Sequence, residues 1–171
     1  EMAKKRHVFE INEEDASDVF GIASESSSIE EGKIDAEGYC GVARRLLERF
    51  PKAEYVAITL RESYSANHNN WGAMLYSRAE GKAFFAPNDA NGEYHPYEIR
   101  NIVDRFGGGD SFGAGLIYAL HSEEYRAPAT AIRFAAAASC LKHTIHGDYN
   151  YVSLAEVVNL MNGSGSGRVM R

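Results

Sequence analysis

Val103-Asp104-Arg105-Phe106-Gly107-Gly108-Gly109-Asp110-Ser111-Phe112-Gly113-Ala114-Gly115 is the stretch on which the reading of this chain turns. It sets three consecutive glycines between a strand, predicted over 97–103 and ending at Asp104, and a helix, predicted over 110–120. Phe112, Leu116 and Leu120 fall on one stripe of that helix. Successive backbone N–H groups in such a turn can point at one anion, and the helix start adds partial positive charge. Without Cβ atoms the main chain can approach a phosphate closely. Two familiar phosphate loops are excluded by spacing. A G-x-G-x-x-G fingerprint beginning at Gly107 would need glycine where Phe112 stands. Gly108 and Gly113 have the Walker separation, but Ala114-Gly115 replace the required Lys-Ser/Thr.

Asp110 is the informative residue. A carboxylate inside an anion cradle repels phosphate unless it has another task. That task could be to accept a proton from a hydroxyl attacking phosphorus, while the glycine amides stabilise charge on the transferred group. The plainer alternative is that Asp110 caps the helix and the glycines make a tight turn. The residue types alone leave both open.

Working outward, residues 7–11 read as a short strand. Asn12 is placed to cap a helix from Glu13 to Gly21, and 22–34 reads as a loop. Asp35 caps a stronger helix with Tyr39, Val42, Ala43, Leu46, Leu47 and Phe50 on its apolar face, ended by Pro51. Tyr55–Leu60 is a continuous apolar run suited to a strand buried in a parallel sheet. Residues 61–71 are polar and read as turns. Residues 73–77 and 82–86 form a predicted hairpin around Glu80-Gly81. Pro128 opens a helix to about His143 whose Ala135–Ala138 allow close packing. Ser153-Leu154-Ala155-Glu156 is a capping box that starts the last helix. Strands alternating with helices predict an α/β fold, a largely parallel sheet flanked by helices. One domain over 1–162 and a flexible tail over 163–171 are expected.

Composition narrows the function classes. The chain has 171 residues, 44% hydrophobic and 25% charged, with a net charge of −6. This is ordinary globular composition, unlike that of disordered or disulfide-scaffold chains. An acidic chain without a basic run is a poor general binder of nucleic acid. No apolar stretch approaches the ~20 residues that span a bilayer. Cys40 and Cys140 sit inside helical patterns and read as buried reduced thiols. No apolar segment follows the basic N-terminus, so a cytoplasmic location is expected. Glu1 precedes the first methionine, so either something upstream has been removed or residue 1 is a remnant of how the chain was produced.

The pattern Asp104-x-x-Gly107-x-Gly109-Asp110 followed by a small-residue helix resembles the signature of the ribokinase-like carbohydrate kinases, the phosphofructokinase-B family. Further segments resemble its 2-keto-3-deoxygluconate kinase (2-dehydro-3-deoxygluconokinase) branch. They are Asn12-Glu13-Glu14-Asp15, Thr59-Leu60-Arg61-Glu62-Ser63, Asn69-Asn70-Trp71, and Ala138–Thr144 with Gly147-Asp148. The resemblance covers nearly all of this chain but only the C-terminal half of the family's. It implies ATP-dependent phosphorylation of a sugar acid, with Asp110 as catalytic base and the amides of Gly107, Gly108 and Gly109 as anion hole. Asn12 and Asp15 would correspond to the family's Asn-x-x-Glu, tied to Mg²⁺ and phosphate, with no direct metal ligand. Here the carboxylate is one methylene short. Thr59, Arg61 and His143 would lie near the nucleotide, with 143–148 and the last helix flanking adenine. Arg105 and Asp104 are candidates for phosphate or substrate carboxylate. The implied partners are ATP, a small sugar-acid substrate, the missing N-terminal half of the kinase, and a second copy pairing at an exposed sheet edge. A chain holding only the nucleotide half is expected to have little activity alone. The competing reading is a non-catalytic α/β module that binds or assembles.

Overall fold

The computed structural model describes residues 7–12 and 36–163. The helix expected from Glu13, the capping role of Asp35, Asp15 and the tail beyond Gly163 lie outside the described residues. The strands are β1 (Val8–Asn12), β2 (Tyr55–Ser65), β3 (His68–Ser77), β4 (Lys82–Ala86) and β5 (Tyr97–Ile99). The helices are α1 (Ala36–Arg49), α2 (Gly108–His121), α3 (Pro128–Lys142) and α4 (Leu154–Met161).

The α/β class stands, but the sheet is not largely parallel. Its order is β1-β2-β3-β4, with β5 pairing β3. The β3–β5 pair is antiparallel, with Asn69 opposite Ile99 and Trp71 opposite Tyr97. β2 and β3 are neighbours joined only by Ala66-Asn67, a link short enough for an antiparallel pair alone. The polar stretch 61–71 therefore belongs mostly to strands rather than turns. Its polar side chains meet one another across the pair: Asn70 Nδ2 donates to Glu62 Oε2 at 2.7 Å and to the Tyr64 hydroxyl at 3.0 Å. Polarity marks a solvated strand here, not a loop. β5 stops at Ile99, short of the expected strand end. Beyond it the amide of Ile102 turns to the carbonyl of Asn67 and that of Val103 to the carbonyl of His143.

The chain forms two compact units. The first comprises Glu1–Ile58 and Leu75–Ala83, the second Thr59–Met74 and Phe84–Arg171. Sequence periodicity locates elements and not the contacts between them, so this division was not visible in it. In the first unit α1 buries Val42, Ala43, Leu46 and Leu47, as its apolar spacing predicts, and leaves Arg44, Arg45, Glu48 and Arg49 exposed. Phe50 stacks on Phe9 with ring centroids 4.7 Å apart. Arg78 satisfies the carbonyls at the end of α1, donating to Leu47, Phe50 and Ala53.

In the second unit α2 buries Phe112, Leu116 and Leu120. It lies so close to α3 that a Cβ on Gly115 would come within 3.2 Å of the Ala138 methyl and 3.3 Å of Ala135 Cα. The small residues of α3 thus permit the approach. α4 starts with both halves of its capping box in place. Arg133 donates to the carbonyl of Met161 at its far end. Among the described residues, no helix is long and apolar enough to cross a membrane.

Candidate anion site and its carboxylate

α2 begins two residues earlier than its apolar stripe suggests. Gly107 is the residue before the helix, with φ 73° and ψ 8°. This left-handed conformation suits glycine alone. A Cβ on Gly107 would also collide with the carbonyl oxygen of Asp148. The first helical hydrogen bond runs from Ser111 N to Gly107 O at 2.9 Å. Gly108, Gly109 and Asp110 are therefore the first three helical residues, whose amides have no partner within a helix. No side chain caps this end. The glycines form a helix N-terminus without a side-chain cap; Gly108 is buried, while Gly109 and Asp110 stand exposed in the same first turn.

Gly108 rests on buried groups. A Cβ added to it would lie 3.1 Å from Cε1 of His143. The hydroxyl of Ser139 donates to the Gly108 carbonyl at 2.7 Å. Nδ1 of His143 lies 2.8 Å from the Ser139 carbonyl, which can only accept, so Nδ1 carries the proton. The ring packs on Trp71 at 4.7 Å between centroids. Burial pushes the His143 imidazole below its usual value, and the charges of Lys142, Arg105 and Arg61 push it the same way. The bond to the Ser139 carbonyl opposes them. On the open side, a Cβ at Gly109 would meet nothing within 4 Å.

Asp104 laces the turn to the loop after α3. Its carboxylate accepts from the amides of Phe106 at 3.0 Å and Gly147 at 2.9 Å. The Phe106 amide, then the Gly147 amide, hold it below the usual carboxylate range, helped by the backbone of Arg105 and the charge of Lys142. Arg105 directs its guanidinium to the carbonyls of Ser65 and Ala66 and to Oδ1 of Asn69, so it fastens the tip of the β2–β3 hairpin.

The second unit thus gathers Gly107, Gly108, Gly109, Asp110, Asp104, Arg105 and His143. His143 lies beneath the turn, not beside it. Thr59 is half-buried and Arg61 exposed; two apart on β2, they share a face. Asn12 ends β1 in the first unit.

Ser139, Lys142, Asn69 and Trp71 lie in segments that resemble the family, but no role for them at this site follows from the sequence. Asn69 is 1% exposed. Its Nδ2 and the Trp71 Nε1 have no hydrogen-bond partner among the described residues. The available signal was a lysine at the end of a run of small apolar residues, and two polar side chains spaced by two on a strand. Among the described residues, no group of three or more His, Cys, Asp or Glu is arranged to hold a metal ion.

Residues 69–153 match the family described as pfkB family carbohydrate kinase. The 2-dehydro-3-deoxygluconokinase of Thermotoga maritima is 38% identical with a TM-score of 0.75, over 91% of this chain and 41% of that one. A PfkB family carbohydrate kinase of Listeria grayi is 27% identical with a TM-score of 0.70, over 91% and 41%. The fructokinase of Vibrio cholerae, solved with fructose, ADP and potassium ion, shares the fold at 20% identity and a TM-score of 0.54, over 90% and 40%. The chain therefore spans about two fifths of the length of these kinases. No curated protein sequence matches it.

Proposed function

The chain belongs to the pfkB family of carbohydrate kinases, and from that premise we propose that it carries the phosphoryl-transfer half of a sugar-acid kinase. The substrate we favour is 2-keto-3-deoxygluconate, phosphorylated at its 6-hydroxyl by ATP. The likeness to the Thermotoga enzyme supports that choice. One observation carries the reading: a helix begins at a left-handed glycine with no side-chain cap, and an exposed carboxylate stands in its first turn.

The proposed chemistry follows from that geometry. The Asp110 carboxylate takes the proton of the attacking hydroxyl as its oxygen forms a bond to the terminal phosphorus of ATP. The bond from that phosphorus to the bridging oxygen breaks, and ADP leaves with the electron pair. The amides of Gly107, Gly108 and Gly109 receive the charge that collects on the transferred oxygens. His143, Ser139 and Trp71 keep Gly108 in place from below. Asp104 and Arg105 act as positioning residues, since their polar atoms are engaged by the turn, the 147 amide and the hairpin tip. Thr59 and Arg61 are proposed for the nucleotide. Tyr149 and Tyr151, each 75% exposed and 6.3 Å apart, offer ring faces to its base. The turn fits a phosphate, because Gly109 leaves space where a side chain would stand. Mg²⁺, when bound, would neutralise charge between the terminal phosphates. Asn12 and Asp15 remain proposals for its water and phosphate network. Sugar contacts are assigned to kinase sequence outside this chain, so little turnover is expected from the chain alone. A second copy at a sheet edge and a cytoplasmic setting complete the proposal.

The test is a titration of the chain with ADP and a non-hydrolysable ATP analogue, following the amide resonances of Gly107, Gly108 and Gly109 by NMR. Movement of these three ahead of the rest is expected. Saturating nucleotide that leaves them in place would end the reading.

A further inference from the structure

Lys142 closes α3, and none of its surface reaches solvent. An ammonium in such a position is costly unless polar groups meet it. Here it meets few. Among the described residues its Nζ makes one hydrogen bond, to the carbonyl of Ile145 at 3.3 Å. No carboxylate of a described residue lies within ion-pair distance of it. An ammonium has three donors, so two are left over. Asp104 feels its charge without forming an ion pair, and its two oxygens accept from the amides of Phe106 and Gly147. Meanwhile Cε of Lys142 lies 3.3 Å from the point a Cβ would occupy on Gly107. The side chain therefore runs directly behind the left-handed glycine that opens the amide cluster. The side chain is thus buried with one hydrogen bond and no ion pair among the described residues, and an anion in front of the turn would complement it.

We propose that Lys142 is a positioning residue of the anion site. Its ammonium braces the 104–107 turn against the 145–148 loop and supplies, from behind Gly107, the fixed positive charge that lets the turn hold a doubly charged phosphate. This rests on the assignment of the glycine turn as a phosphate site and adds the residue that makes it selective for charge. Ordinary surface lysines would be screened by salt, whereas a buried one acts at nearly full strength.

Inorganic phosphate is the probe, titrated into the whole chain while the amides of Gly107–Gly109 are followed. Unaltered protein is expected to bind it, Lys142→Met to bind at least about tenfold more weakly, and Lys142→Arg to recover most of the loss. A purely structural lysine would not show this charge-dependent recovery. If unaltered protein fails to bind, the phosphate-site assignment falls and this inference falls with it. If unaltered protein binds and Lys142→Met binds equally well, the assignment stands and the role of Lys142 is refuted. Should Lys142→Met not fold, the side-chain Nζ resonance of Lys142 in unaltered protein decides. Its displacement by phosphate supports the inference, and an unmoved resonance overturns it.

Discussion

Two helices of the second unit begin in opposite ways. α4 starts closed: Ser153 receives the amide of Glu156, and the Glu156 carboxylate receives the amide and hydroxyl of Ser153. α2 starts open: Gly107 has no side chain to turn back, and no other side chain caps the end. The same backbone physics acts at both ends, since every helix start presents unpaired amides. α3 also starts without a side-chain cap, at Ala127, where Pro128 brings no amide to satisfy; α2 differs in starting on a left-handed glycine whose conformation costs chain entropy. The exposed acid beside the open end sharpens the contrast, because it is a proton acceptor where an anion would sit.

The largest effect expected from this contrast lies at Asp110. In the intact kinase, Asp110→Asn should lower turnover by about 10²–10⁴-fold while leaving ADP affinity within about threefold. A coupled assay and calorimetry measure the two. Turnover within tenfold of normal would reduce Asp110 to a charge at a helix start. Gly107→Ala comes next. It forces a Cβ into a left-handed position against the Asp148 carbonyl, so a loss of more than about 1 kcal/mol is expected, together with the phosphate response of the turn. Gly109→Ala, which meets open space, should keep its Tm, and thermal melts of the pair separate the two glycines.

A smaller effect concerns the support beneath the open end. Burial holds His143 neutral, with a folded value below the ordinary ~6.5 of an unfolded histidine. Between those two values the unfolded chain binds the extra proton, so stability rises with pH across that window. It is fully present above about 6.5 and falls below it, by at most about 1.4 kcal/mol per pH unit. Denaturant melts from pH 5 to 8, approximate bounds around that value, should show the slope, and His143→Gln should remove it. The smallest effect belongs to the closed end: Ser153→Ala should cost about 1 kcal/mol in chemical denaturation and leave phosphate binding at α2 unchanged. If it weakened that binding, the two ends would not be independent.

Much of this was legible in the chain. The apolar stripes of α1 and α2, Pro128 at the start of α3 and the box at Ser153 each rest on local rules, and each stands in the structure. The glycine turn was legible because glycine takes a left-handed backbone at the least steric cost. The β2–β3 hairpin was not, because its outer half pairs polar side chains that look like a loop when read singly. The support under Gly108 was hidden for a related reason. Ser139 and His143 are one helical turn apart, but Gly108 and Trp71 lie far from them in sequence, and nothing in the spacing says that the four meet.

The amino-acid order by itself determined where helices start and stop, and that bare main chain precedes an acid at 107–110, because φ limits, capping and hydrophobic period act over a few residues. Only the tertiary structure decided that the imidazole of His143 and the ammonium of Lys142 come to lie behind that bare main chain. Those positions depend on how closely α3 approaches α2 and on the fold of the 143–148 loop, and a lysine is cut off from solvent only once the surrounding chain has excluded water.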